Sequence, residues 1–161
     1  MDLLNSIKNK IIFVQKLSFM EWVFLIEAWW ILFGFYLALR WMSYNRLNKS
    51  MPPQAKIFFD STSQLFFAER LKQLLEISSR LHLLRMTCLV KSSALRWMLL
   101  RRGIPVQVRI GVNKTSTGMH AHAWVELQGE PIGEAEDVSE RFTILESIGD
   151  MFVNGLDTTL I

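Results

Sequence analysis

Apolar residues first recur at helical spacing in Leu3, Leu4, Ile7 and Ile11, which predicts a short amphipathic helix. Ser18-Phe19-Met20-Glu21 has the form of a capping box, so a second helix is expected to start near Phe19. That helix carries Trp22, Leu25, Trp29, Trp30, Leu32, Phe33, Leu37 and Leu39, reaches about Tyr44, and is apolar nearly all round. Its apolar run from Val23 to Leu39 falls short of the roughly 20 residues a membrane span needs, and Glu27 interrupts it. A helix buried against the protein is the expectation, and a helix lying on or crossing a membrane stays open beside it. Arg40, Arg46 and Lys49 at its C-terminal end suit the helix dipole in either case.

Met51-Pro52-Pro53 breaks the pattern. A third helix is expected from about Ser63 to Arg80, with Leu65, Phe66, Leu71, Leu74, Leu75 and Ile77 as its apolar set, and residues 81–86 as a link. The next helix is led by Cys88 behind Thr87, a good N-cap, and stops at Arg101-Arg102-Gly103 with Pro105 close behind. The period then changes. Val106, Val108, Ile110 and Val112 alternate with Gln107, Arg109 and Gly111, which predicts a half-buried strand. Residues 113–118 read as a turn, residues 120–127 as a second strand, and Gln128-Gly129 as a tight turn into a short third. Residues 137–142 read as a helical turn, and the tail from Glu146 carries little signal. Helices followed by hairpin strands indicate an α+β fold, in which a cysteine-bearing central helix packs on a small antiparallel sheet. The expected organisation is an apolar helical segment over residues 1–50 and a core over residues 51–161, joined in one compact unit.

Composition narrows the class. A chain of 161 residues fits one domain, and half hydrophobic with 20% charged residues excludes disorder. A net charge of +3 and a pI near 9.2 permit contact with an acidic peptide or membrane surface, but no basic run argues for nucleic acid. Cys88 is the only cysteine, which rules out an internal disulfide and fits a reducing cytoplasm. No small-residue cleavage site follows an early apolar core, so the N-terminus is not read as a signal peptide.

The candidate chemistry begins at Cys88. In the first turn of a helix, unpaired N–H groups and the helix dipole favour a thiolate, and the same groups can hold an oxyanion. Alone, such a cysteine is more often a small buried hydrophobe. The second strand changes the weighing. Ala121, Ala123, Val125 and Leu127 share one face, expected to meet the core, while His120, His122, Trp124 and Glu126 share the other. A nucleophilic cysteine needs a base, and the base needs a third group to orient it. Pairing of the second and third strands brings the Glu134 region back towards His122. The competing readings are a structural histidine in a half-exposed sheet and a metal held by His120, His122 and Cys88. No second cysteine or carboxylate-rich motif completes a metal set, and the cysteine–histidine chemistry calls for no cofactor.

T-C-L-x-x-S-x-A-L-R-W-x-L-x-R-R-G-I-P, the V-R-I-G-V strand, and A-H-A-W-V-E with its Q-G turn resemble the lasso-peptide leader peptidases. These are the B proteins of lasso-peptide biosynthesis, within the transglutaminase-like, papain-related cysteine protease superfamily. The resemblance covers residues 60–145, and the Trp-rich helices before it are similar as well. It implies a transglutaminase-like core and a Cys-His-Asp triad that cuts a ribosomally made precursor between leader and core, before a separate cyclase closes the ring. Cys88 matches the nucleophile and His122 the base. The third member is usually an aspartate twelve residues after that histidine, often preceded by asparagine. Gly133-Glu134 stand there instead, so Glu134 takes the role, with Asp137 as the nearest substitute. His120 faces the same way as His122 but lies outside the motif. The residues before Pro52 read as apolar helices and not as alternating strands, so a separate leader-recognition protein is implied as a partner, together with the precursor peptide and the cyclase. Two other functions fit the same residues: an acyltransferase that passes the acyl group to an amine, and a non-catalytic, membrane-associated scaffold that binds peptide with a degenerate triad. The implied location is the cytoplasm, with membrane association through residues 19–44 left open.

Overall fold

The computed structural model describes residues 17–51, 61–115, 118–135 and 137–145. The expected helix at residues 3–11, the Pro52-Pro53 break and the tail from Glu146 lie outside them. The described elements are α1 (Phe19–Trp41), α2 (Tyr44–Lys49), α3 (Ser61–Leu81), α4 (Cys88–Leu100), β1 (Val106–Thr115), β2 (Gly118–Leu127), β3 (Glu130–Pro131), α5 (Val138–Arg141) and β4 (Thr143–Ile144). The strands form one antiparallel sheet in the order β3-β2-β1-β4, so the fold is α+β.

The capping box forms as the sequence predicts. Ser18 Oγ accepts from Glu21 N at 3.3 Å, and Glu21 Oε2 accepts from Ser18 N at 2.8 Å. The helix stops earlier than expected: Met42 is extended, and the short α2 starts after Ser43. Ala28, Leu32 and Phe35 of α1 lie at helical spacing and enter one core with Ala68, Leu71 and Leu75 of α3 and Ala94, Leu95, Met98 and Leu99 of α4. The expected burial of α1 therefore holds for one stripe, while Phe19, Val23, Ile26, Trp30, Leu37 and Trp41 remain exposed. Glu27 is drawn to Arg102 at the C-terminal end of α4, and Glu21 to Arg70 of α3 at 2.5 Å. With a mean hydropathy of 1.8, α1 is long and apolar enough to cross a membrane, a property shared by core helices and N-terminal signal sequences.

The α4 stop signal is also realised. Gly103 takes a positive φ of 78°, and Ile104 N donates back to Leu99 O at 3.1 Å. The hairpin is longer than the sequence implies, because β1 continues through Asn113↔His120 and Lys114↔Met119. These pairs lie towards the hairpin's tip, where ladder hydrogen bonds suffice and apolar alternation is not required. Val106, Leu127, Val125 and the smaller Ile110–Ala123 cluster form the α4-facing side of the sheet.

Candidate active site

Thr87 is extended and its hydroxyl accepts from Val90 N at 3.4 Å, which makes Cys88 the first residue of α4. Ser92, one turn further on, donates to Ala123 O at 2.8 Å. That bond explains the site's construction. β3 pairs with β2 at Glu126 and Leu127, so among the described residues β2 has no strand partner on its outer side at Ala123. In an antiparallel ladder the N–H and C=O of one residue point to the same side. Ala123 therefore presents both groups to the open edge, where Ser92 takes the carbonyl and the Cys88 sulphur takes the N–H. The N-terminal turn of α4 occupies the place of a missing strand.

His122 adjoins Ala123 and so points to the opposite face. It meets Cys88 around the same unpaired edge, where the two side chains hydrogen-bond. Behind it the imidazole stacks on Trp124, with ring centroids 6.0 Å apart and planes at 19°, and contacts Phe142 at 5.5 Å. Gly111 is the cross-strand partner of His122. A Cβ there would lie 2.8 Å from Phe142 Cβ and 3.0 Å from Trp124 Cη2, so glycine is what lets the two rings close over the strand.

Glu134 reaches the site through β3. Gln128 and Gly129 take positive φ in the turn, and Ile132 N donates to Val125 O at 2.9 Å, which returns the chain alongside β2. Glu134 Oε2 stands 3.4 Å from His122 Nε2, and its Oε1 pairs with Lys72 of α3. With Nε2 facing Glu134, Nδ1 is the ring nitrogen left for the sulphur.

The charges reinforce one another. Burial pushes the Cys88 thiol up, but the hydrogen bond from His122 and the Ala123 and Leu89 N–H groups outweigh it, and the net shift is downward. The bonds to Cys88 and then Glu134 raise His122 to about 9, against the effect of burial. Burial opposes the charge on Glu134, yet His122 and Lys72 hold its carboxyl at about 2. The arrangement favours a thiolate facing an imidazolium.

Of the residues singled out in the sequence, Cys88, His122 and Glu134 come together. His120 is exposed, opposite Asn113 on the hairpin. Asp137 is 55% exposed and turns to Arg141 at 3.9 Å. Sequence reasoning gave no role to Lys72, Ser92 or Phe142 and did not foresee the burial of Trp124. A serine four residues after Cys88 and a glycine within a strand were usable signals for two of these contacts; nothing local marked Lys72. No group of three or more His, Cys, Asp or Glu side chains among the described residues could hold a metal. The site opens through a small cavity of about 30 Å³ lined by Lys72, Glu76, Cys88, Lys91, His122 and Glu134. A wider groove of about 520 Å³ along α3 shares Lys72 and Glu76 with it.

A cysteine at a helix start, a histidine on the neighbouring strand and a carboxylate behind that histidine thus meet in an α+β fold. A family model of the transglutaminase-like superfamily matches residues 29–147, and the chain belongs to that superfamily. No curated protein and no solved structure matches it.

Proposed function

We propose that this chain is a cysteine peptidase that removes the leader from a ribosomally made lasso-peptide precursor, with Cys88 as nucleophile, His122 as base and Glu134 as the acid that orients it. The observation that carries the reading is the double engagement of His122: Glu134 on Nε2 and Cys88 on the other side of the ring. The thiolate attacks the scissile carbonyl and a C–S bond forms. The oxyanion is met by N–H groups at the start of α4. The imidazolium gives its proton to the leaving amine, the C–N bond breaks, and the core peptide departs with a free N-terminus. Water, deprotonated by His122, then cleaves the thioester and releases the leader as an acid. The groove along α3 shares Lys72 and Glu76 with the cavity at Cys88 and is the place this reading gives to the peptide. The three sequence motifs and their order support the lasso precursor as substrate, with a separate recognition protein delivering it and a cyclase taking the product.

Incubating the precursor with this chain and the recognition protein, then weighing the products, tests the reading. Free leader acid plus core amine is expected. Leader joined to an added amine would make the chain an acyltransferase, and unchanged precursor would leave it a peptide-binding scaffold.

A further inference from the structure

Glutamate is a loose choice for orienting an imidazole, because its two methylenes give the carboxylate several rotamers within reach of solvent. Glu134 is 25% exposed, and its contact with His122 is, at 3.4 Å, longer than an ordinary N–H···O bond. Something must hold it. Lys72 does so from α3, far away in sequence. Its Nζ donates to Gly133 O at 3.0 Å and pairs with Glu134 Oε1, while its side chain is only 15% exposed. The aliphatic stem packs over Gly133, where a Cβ would approach Lys72 Cδ to 3.1 Å and φ is +57°. The other cation lining the opening, Lys91, is already bound to Glu76 at 3.0 Å to both oxygens. Lys72 is thus the cation directed at the acid.

We propose that Lys72 is a positioning residue: it clamps one oxygen of Glu134, through a bidentate hold on Gly133 and Glu134, so that the other oxygen faces His122. The role attributed to Glu134 belongs to the Lys72–Glu134 pair. This rests on the triad reading given under Proposed function, but the geometry that carries it is the Lys72–Gly133–Glu134 arrangement itself. Without the clamp the carboxylate swings towards water, and the imidazolium loses its neighbour on Nε2. A lysine that merely joined α3 to the following loop would leave the imidazole unaffected.

The test is titration of the His122 ring by NMR in the full chain, which needs no substrate. In the parent protein the midpoint belongs near 9. In Lys72→Met it is expected to fall by about one pH unit or more, the size of one nearby opposite charge. Glu134→Gln should lower it similarly, and the Lys72→Met/Glu134→Gln double variant should go little further, because the two act as one unit. Lys72→Arg should retain most of the shift. If Lys72→Met does not fold, Lys72→Gln decides: it keeps a donor for Gly133 O but no charge for Glu134, and a lowered midpoint is expected again. A midpoint that stays near 9 without the Lys72 charge, or that rises as loss of a neighbouring cation alone would make it, overturns the proposal, even if the melting temperature drops. Should the parent protein fail to cleave the precursor, the peptidase reading falls, and the titration still judges Lys72.

Discussion

Val125 and Leu127 on one face of β2, and Trp124 and Glu126 on the other, are all shut off from water, with exposures between 1% and 6%. The first pair meets α4 and the helical core, where any side chain of the right volume and polarity serves. The second pair is specified atom by atom. Trp124 Nε1 donates to Glu126 Oε1 at 2.9 Å, and Arg109 Nε donates to Glu126 Oε2 at 2.9 Å. The Trp124 indole, with Phe142 beside it, then backs the His122 imidazole. One face of the strand builds the domain and the other backs His122. A buried carboxylate is tolerated on the second face because both of its oxygens are matched.

The largest expected effect lies where the two faces meet. Cys88→Ala should lower precursor turnover by about 10⁴-fold or more, with the thermal melt nearly unchanged, since only one sulphur leaves a helix start. His122→Ala should be as severe, and the double variant little worse than either single one. The parent pH profile should be a bell. Its acid limb lies below the ordinary thiol range, because Cys88 is lowered. Its alkaline limb falls near pH 9, where His122 loses the proton that the leaving amine needs. Glu134, at about 2, stays ionised across this range and contributes neither limb. A single sigmoid rising above pH 9 would remove the thiolate–imidazolium pair.

A smaller effect separates the faces directly. Leu127→Ala should cost about 2–5 kcal/mol of stability in urea unfolding, with turnover of the folded fraction preserved. Trp124→Phe keeps a ring under His122 but removes the donor to Glu126, leaving a buried carboxylate oxygen unmatched. It should cost about 1–3 kcal/mol and also slow turnover several-fold. Equal kinetic effects from both substitutions would erase the distinction between the faces.

The elements of the fold were largely legible because they follow from local chemistry. The Ser18 box, the Thr87 cap, the Gly103 stop and the alternation in β1 each act within a few residues, and each appears in the structure. Cys88, His122 and Glu134 were legible through motif order. The missed features are contacts between distant segments. Lys72 lies 62 residues before Glu134, and nothing in its own neighbourhood distinguishes it from other helix-surface lysines. Glu27 read as an obstacle inside an apolar run, yet it is matched by the arginines that end α4. The split character of α1, one stripe in the core and one outside, was hidden because the helix is apolar all round and its periodicity carries almost no direction.

The smallest expected effect belongs to His120, which shares a face with His122 and has the same intrinsic chemistry. On a strand, residues two apart stand about 6.5–7 Å from each other along the chain. That displacement puts His120 nearer the tip of the hairpin, where it is exposed and paired in register with Asn113. Position alone separates the two histidines: His122 has an acid at Nε2, an aromatic wall behind it and a cysteine across the edge, whereas His120 faces water. His120→Ala should therefore change stability by no more than about 0.5 kcal/mol, as surface substitutions do. Turnover should stay within about twofold and the bell-shaped profile should keep both limbs. Loss of the alkaline limb in His120→Ala, with the limb retained in His122→Ala, would mean that the base sits two residues earlier on β2 and that the cage around His122 is purely structural.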